Sequence, residues 1–153
     1  MVSMKLSVRI FSIILLLALG SCSPHVGSVN AEGGSQPRFT FIGSSVSSLI
    51  VYRVPRKYLN KGIALDAVTK NGSDTQWRID GMHDARTPIN YGVVPKGMTE
   101  IVPAKPLSEN TIYFASTYVG TEETGAFVGQ YFRIQNGRTI EVHEDVDANS
   151  VNN

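Results

Sequence analysis

The chain has 153 residues, with 14 basic and 13 acidic side chains and a single cysteine. A formal charge of +1 leaves no basic surplus for a nucleic-acid partner. One cysteine rules out an intrachain disulfide framework, so the fold depends on its apolar core, and the length suits one domain.

Residues 1–9 carry Lys5 and Arg9 and no acid, and Ile10 to Leu19 is apolar except for Ser12. A basic start, an apolar run and small residues behind it predict a cleaved secretory signal over 1–21. The run is shorter than the roughly 20 apolar residues that span a bilayer. Met4 serves equally well as a start, because Met4-Lys5 keeps the signal complete. Cleavage after Ser21 leaves 132 residues with 12 basic and 13 acidic side chains, a net charge near −1.

Leu19-Gly20-Ser21-Cys22 closes the apolar run. This stretch resembles the lipobox of bacterial lipoproteins, with Gly20 the least usual of its residues. The resemblance implies diacylglycerol on the Cys22 thiol, cleavage before Cys22 and acylation, typically with palmitate, of the new N-terminus. Two or more acyl chains anchor a protein stably, whereas one binds only marginally. Ser23, where an Asp would favour the inner membrane, implies the periplasmic face of the outer membrane in a bacterium that has one. The simpler alternative is an ordinary cleaved signal with Cys22 incidental.

Ser23 to Pro37 is small and polar without a hydrophobic period, which predicts a flexible tether over 22–37, with His25 solvated in it. From Arg38 onward the residues alternate as short strands. The expected strands are Arg38 to Ile42, Ser48 to Val54, Ile63 to Thr69, Gln76 to Asp80, Pro88 to Val94, Met98 to Val102, Thr111 to Val119, Ala126 to Gln135 and Arg138 to Val142. In the fourth, Trp77 and Ile79 point inward and Gln76, Arg78 and Asp80 outward. Pro55 to Asn60 admits one turn of helix. Asn71-Gly72 and Asn136-Gly137 suit the positive-φ pairs of two-residue hairpins. Pro55, Pro95, Pro103 and Pro106 lack a ladder donor and belong at strand ends or edges. Glu144 to Asn153 is acidic and polar, an expected disordered tail. This pattern predicts an all-β antiparallel domain over 38–143, a sandwich or barrel.

Leu107-Ser108-Glu109-Asn110-Thr111-Ile112-Tyr113 resembles the L-x-P-x-T-x-Y stretch of fibronectin type III domains, with Glu109 in place of the proline. In that family the tyrosine hydroxyl bonds upstream backbone and closes a corner between strands. Trp77 matches the core tryptophan of an early strand, and Ile89-Asn90-Tyr91-Gly92 matches the strand across from it. The resemblance covers about 60 residues, from Gln76 to Gln135, and implies a single immunoglobulin or fibronectin type III-like sandwich. The stretch from Trp77 through Tyr91-Gly92-Val93-Val94-Pro95-Lys96-Gly97 to Pro106-Leu107 is also similar to small exported bacterial proteins that lack an assigned function. Folds of this kind host many functions, so the likeness selects none.

Arg53, Arg56, Lys57 and Lys61, with Tyr52 and Tyr58 among them, form the one basic-aromatic cluster, a candidate patch for lipid headgroups or an acidic cell-wall polymer. The plainer alternative is a solvated strand end. Asp80-Gly81-Met82-His83-Asp84 is the densest polar cluster and reads as a loop after the Trp77 strand. Asp80, His83 and Asp84 are ligand types, but no further histidine stands at ligand spacing, so no metal is assigned. No nucleophile turn and no phosphate-binding glycine motif is present, so no catalytic residue and no cofactor is assigned. Glu122 and Glu123 read as a polar hairpin loop. Trp77, Tyr113, Phe114, Phe127, Tyr131 and Phe132 occupy strand positions, where core packing is the default for most of them.

The expected protein is a membrane-anchored lipoprotein whose sandwich is a non-catalytic interaction or scaffold module for an envelope protein or cell-wall polymer. A docking component of a secretion or pilus assembly is the second reading. A metal-dependent hydrolase built on Asp80 to Asp84 is the third.

Overall fold

The computed structural model describes residues 27–55, 74–120 and 125–143. Among the described residues nine strands follow in order: β1 (Ser28–Gly33), β2 (Pro37–Ile42), β3 (Ser45–Arg53), β4 (Thr75–Asp84), β5 (Ile89–Asn90), β6 (Met98–Val102), β7 (Ile112–Val119), β8 (Ala126–Gln135) and β9 (Arg138–Glu141). They form two antiparallel sheets, ordered β1-β2-β5 and β6-β4-β3-β7-β8-β9. The sheets pack face to face as a β-sandwich, the all-β fold that the alternation predicts. The expected strand Ile63 to Thr69, the hairpin at Asn71-Gly72, the helical turn after Pro55, the signal and the acidic tail lie outside the described residues.

Period-2 alternation sends one face of each strand into a shared core. Phe39 from β2 meets Phe132 from β8 edge-on at 6.0 Å, and Phe132 stacks on Tyr113 from β7 at 5.5 Å. Leu49 and Val51 from β3, Trp77 and Ile79 from β4, and Ile134 from β8 complete this layer, all buried. The other face of the large sheet is apolar as well at one end. There Tyr52, Val54, Ile112, Phe114 and Val142 form a second buried cluster. The apolar run Leu49-Ile50-Val51-Tyr52 in β3 has this cause, since a segment buried on both faces needs no polar alternation.

The Tyr113 hydroxyl bonds upstream backbone, accepting from the Ser108 N–H at 2.7 Å. Glu109, in the proline's position, reaches the β8–β9 turn, where its carboxylate accepts from the Gly137 N–H at 2.9 Å. That turn has φ of 53° at Asn136 and 70° at Gly137, as the Asn-Gly pair predicts.

Four expectations are corrected. Ser28 to Gly33, expected in the tether, is strand β1, paired with β2 from Ser28↔Ile42 to Gly33↔Pro37. Val29 and Ala31 are buried, and the Ala31 N–H donates to Gln130 Oε1 at 2.6 Å. The sandwich therefore begins before Arg38. Asp80 to Asp84 is the last half of β4 and not a loop, paired with β3 through Val46↔His83 and Ser45↔Asp84. Pro88 to Val94 narrows to the two residues of β5, because Tyr91 turns inward and donates its hydroxyl to the Lys105 carbonyl at 2.7 Å. Gln76 is buried rather than outward. Its side-chain amide donates to the Asp74 carbonyl at 3.1 Å, which satisfies a polar group that burial would otherwise penalise.

Candidate functional site

The antiparallel order gathers six strand termini at one end of the sandwich. β1, β3 and β8 start there, and β2, β4 and β7 finish there. We call this the N-terminal rim, because the chain joins the sandwich at Gly27. Gly27 leaves little room for a side chain. A Cβ there would stand 3.0 Å from Val119 Cβ and 3.1 Å from the Ile42 carbonyl oxygen. Across the rim, Gly120 N–H donates to the Ser45 carbonyl at 2.9 Å and Ser45 Oγ donates to the Gly120 carbonyl at 2.8 Å. These reciprocal bonds hold β3 to the end of β7.

The rim exposes large apolar side chains. Phe127 is 74% exposed, Met82 60% and Ile42 58%. Phe127 lies on the outer face of β8, opposite Tyr118, with the two rings edge-on at 5.0 Å. Gly43, Ser44 and Ser45 face Met82, His83, Asp84 and Arg86 across an open depression.

The polar groups of this depression are engaged with one another. Asp84 accepts from Arg86 Nη2 at 2.7 Å and from Arg86 Nε at 3.0 Å, and also from the Arg86 backbone N–H at 3.0 Å. The Arg86 side-chain hydrogen bonds, then the backbone bond, hold the Asp84 carboxyl down at about 2. A carboxylate with a depressed pKa contributes stability above its ordinary value, and that contribution is lost as pH falls toward about 2. Carbon-detected NMR titration is expected to place the Asp84 midpoint near about 2, and Arg86→Ala is expected to return it toward 3.8. His83 Nε2 lies 2.9 Å from the Thr87 carbonyl, so that nitrogen carries the proton and donates. Asp80 is turned away, accepting from Arg78 Nη2 at 2.7 Å. Among the described residues no three of His, Cys, Asp or Glu stand close enough together to hold a metal ion. The residues of the third reading are thus spread along a strand and do not converge.

Of the basic cluster, only Arg53 lies within the described residues. It ends β3 at the sandwich end opposite the N-terminal rim, and its guanidinium pairs with Asp74 at 2.8 Å. Arg56, Lys57 and Lys61 lie outside the described residues, as do Cys22, His25, Glu122 and Glu123. The sequence reading missed the rim. It left Phe127 among the default core aromatics, although strand parity gives the signal. Phe132 and Ile134 point inward, so Phe127 falls on the opposite face of the same strand.

Compared with protein families, with curated proteins and with solved structures, the chain gives no match.

Proposed function

We propose that this chain is a bacterial envelope lipoprotein. Cys22 carries the lipid, and the β-sandwich is a non-catalytic interaction or scaffold module held at the membrane surface. In a bacterium with two membranes it stands on the periplasmic face of the outer one. The observation that carries the reading is Leu19-Gly20-Ser21-Cys22, the chain's one cysteine, closing the apolar run behind Lys5 and Arg9. The early start of the domain supports it, since β1 begins at Ser28, a few residues past the expected cleavage site. The engagement of Asp80 and Asp84 with arginines favours a binding module over a hydrolase at that strand.

The intact mass and fractionation of the native protein test this, beside Cys22→Ser. The wild type is expected in the membrane fraction with the mass of residues 22–153 plus acyl chains. The serine variant is expected to lack the acyl mass entirely. A mature wild type with a free thiol in the soluble fraction would sink the anchor. Crosslinking at the membrane then separates a free-standing binder from a dock in a larger machine, which would copurify with its complex in fixed ratio.

A further inference from the structure

We propose that the N-terminal rim is a membrane-seating face, and that its occupant is the bilayer that receives the Cys22 anchor. This rests on the anchoring proposed above.

The length of chain between anchor and fold carries the argument. Only residues 23–27 separate Cys22 from β1. At about 3.6 Å per fully extended residue, Cys22 lies within about 18 Å of Gly27. The rise along β3 from Ser45 to Arg53 is about 26 Å, at about 3.3 Å per residue. A lipid on Cys22 therefore holds the Gly27 corner of the rim within about 18 Å of the bilayer, a much shorter reach than a tether running on to Pro37 would allow.

The rim has the chemistry of such a contact. Ile42, Met82 and Phe127 are its exposed large apolar residues, and they come from three different strands. By strand parity Ile42 lies on the outer face of the small sheet, since Phe39 and Phe41 pack into the core, and Phe127 lies on that of the large sheet, so the two flank the rim from its opposite sides. Apolar side chains of this kind settle about 5–10 Å into the headgroup and acyl boundary. The charges at the depression are matched as Asp84 with Arg86. The attraction is thus apolar, and a zwitterionic surface suits it better than an anionic one. Seated this way, the domain holds Arg53 outward, where an envelope protein or wall polymer can reach it and lipid headgroups cannot.

The lone cysteine makes the test independent of the cell. Residues 22–153 are coupled through the Cys22 thiol to maleimide lipid in phosphatidylcholine vesicles at low surface density. The probe is the indole introduced by Phe127→Trp, and the quencher is phosphatidylcholine brominated high on the acyl chain. Seating is expected to quench that emission about twofold relative to uncoupled protein with the same vesicles, since the indole reaches the acyl boundary. Trp77, buried in the core, is expected to stay unquenched in the parent chain. Adding Ile42→Gln and Met82→Gln is expected to remove the quenching while circular dichroism stays native. Equal emission from coupled and uncoupled protein overturns the seating. Quenching that appears only at high surface density also overturns it, in favour of a second copy of the chain on this face. Because the attachment is chemical, both results stand apart from whether the cell lipidates Cys22, which the native mass decides.

Discussion

Trp77→Ala is expected to destabilise the domain by about 3–5 kcal/mol, the range for truncating a large buried aromatic side chain. Trp77 has no exposed surface and lies edge-on to Tyr91 with ring centroids 5.2 Å apart. Its indole Nε1–H donates to Glu100 Oε1 at 3.0 Å, which ties β4 to its edge neighbour β6. Alanine would leave a cavity in the main core and remove the wall that holds Tyr91. The Tyr91 hydroxyl, in turn, secures the Lys105 carbonyl at 2.7 Å. Against a typical domain stability of about 5–15 kcal/mol, the loss is a large fraction of the whole. Urea denaturation followed by far-ultraviolet circular dichroism measures it, because the variant has no tryptophan left to fluoresce. A change below about 0.5 kcal/mol, the scale of ordinary surface substitutions, would contradict this placement of Trp77.

Gly81→Ala is expected to cost about 2–4 kcal/mol, from backbone strain and from overlap with the neighbouring strand. Gly81 has a φ of 135°, a region that side chains rarely adopt. It also faces the start of β6 at close range. An added Cβ would lie 2.8 Å from Met98 Cα and would overlap the Gly97 carbonyl oxygen. Both obstacles are backbone, so no rotamer change relieves them. The Met82 N–H donates to that same carbonyl at 3.2 Å, and the methyl would push this bond apart. The damage is expected to centre on β6, with the amides of Thr99 and Ile101 exchanging faster even where the rest of the sandwich stays protected. Gly137→Ala provides the comparison. Its φ is 70° but no atom stands within 4 Å of the added Cβ, so only the conformational term of about 1 kcal/mol applies. Equal losses at the two glycines would argue against a close β4–β6 approach.

The legible part of this fold was the part written in local pattern. β6 and β8 have the bounds that alternation predicts, and the turn between β8 and β9 follows from Asn136-Gly137 alone. Such features need only a residue and its near neighbours: a pleat with side chains on alternate faces, and a backbone that tolerates positive φ. The extension of β4 through His83 and Asp84 was not legible, because Gly81 and two acids in five residues carry a loop's composition. β3 on one side and β6 on the other hold the segment extended, through Val46↔His83 and Gly81↔Met98.

The sequence by itself determined the all-β character and the parity that buries Trp77, Tyr113 and Phe132. Each is a statement about composition or spacing within about ten residues. Only the tertiary structure decided that Ser28 to Gly33 is a strand. Its apolar signal is just Val29 and Ala31 among small and polar residues, and its ladder partner β2 supplies the hydrogen bonds that its own composition does not demand. Tertiary structure likewise decided that Ile42, Met82 and Phe127 share one end. These residues are far apart along the chain, and antiparallel pairing of their strands brings them together where the N-terminal chain arrives.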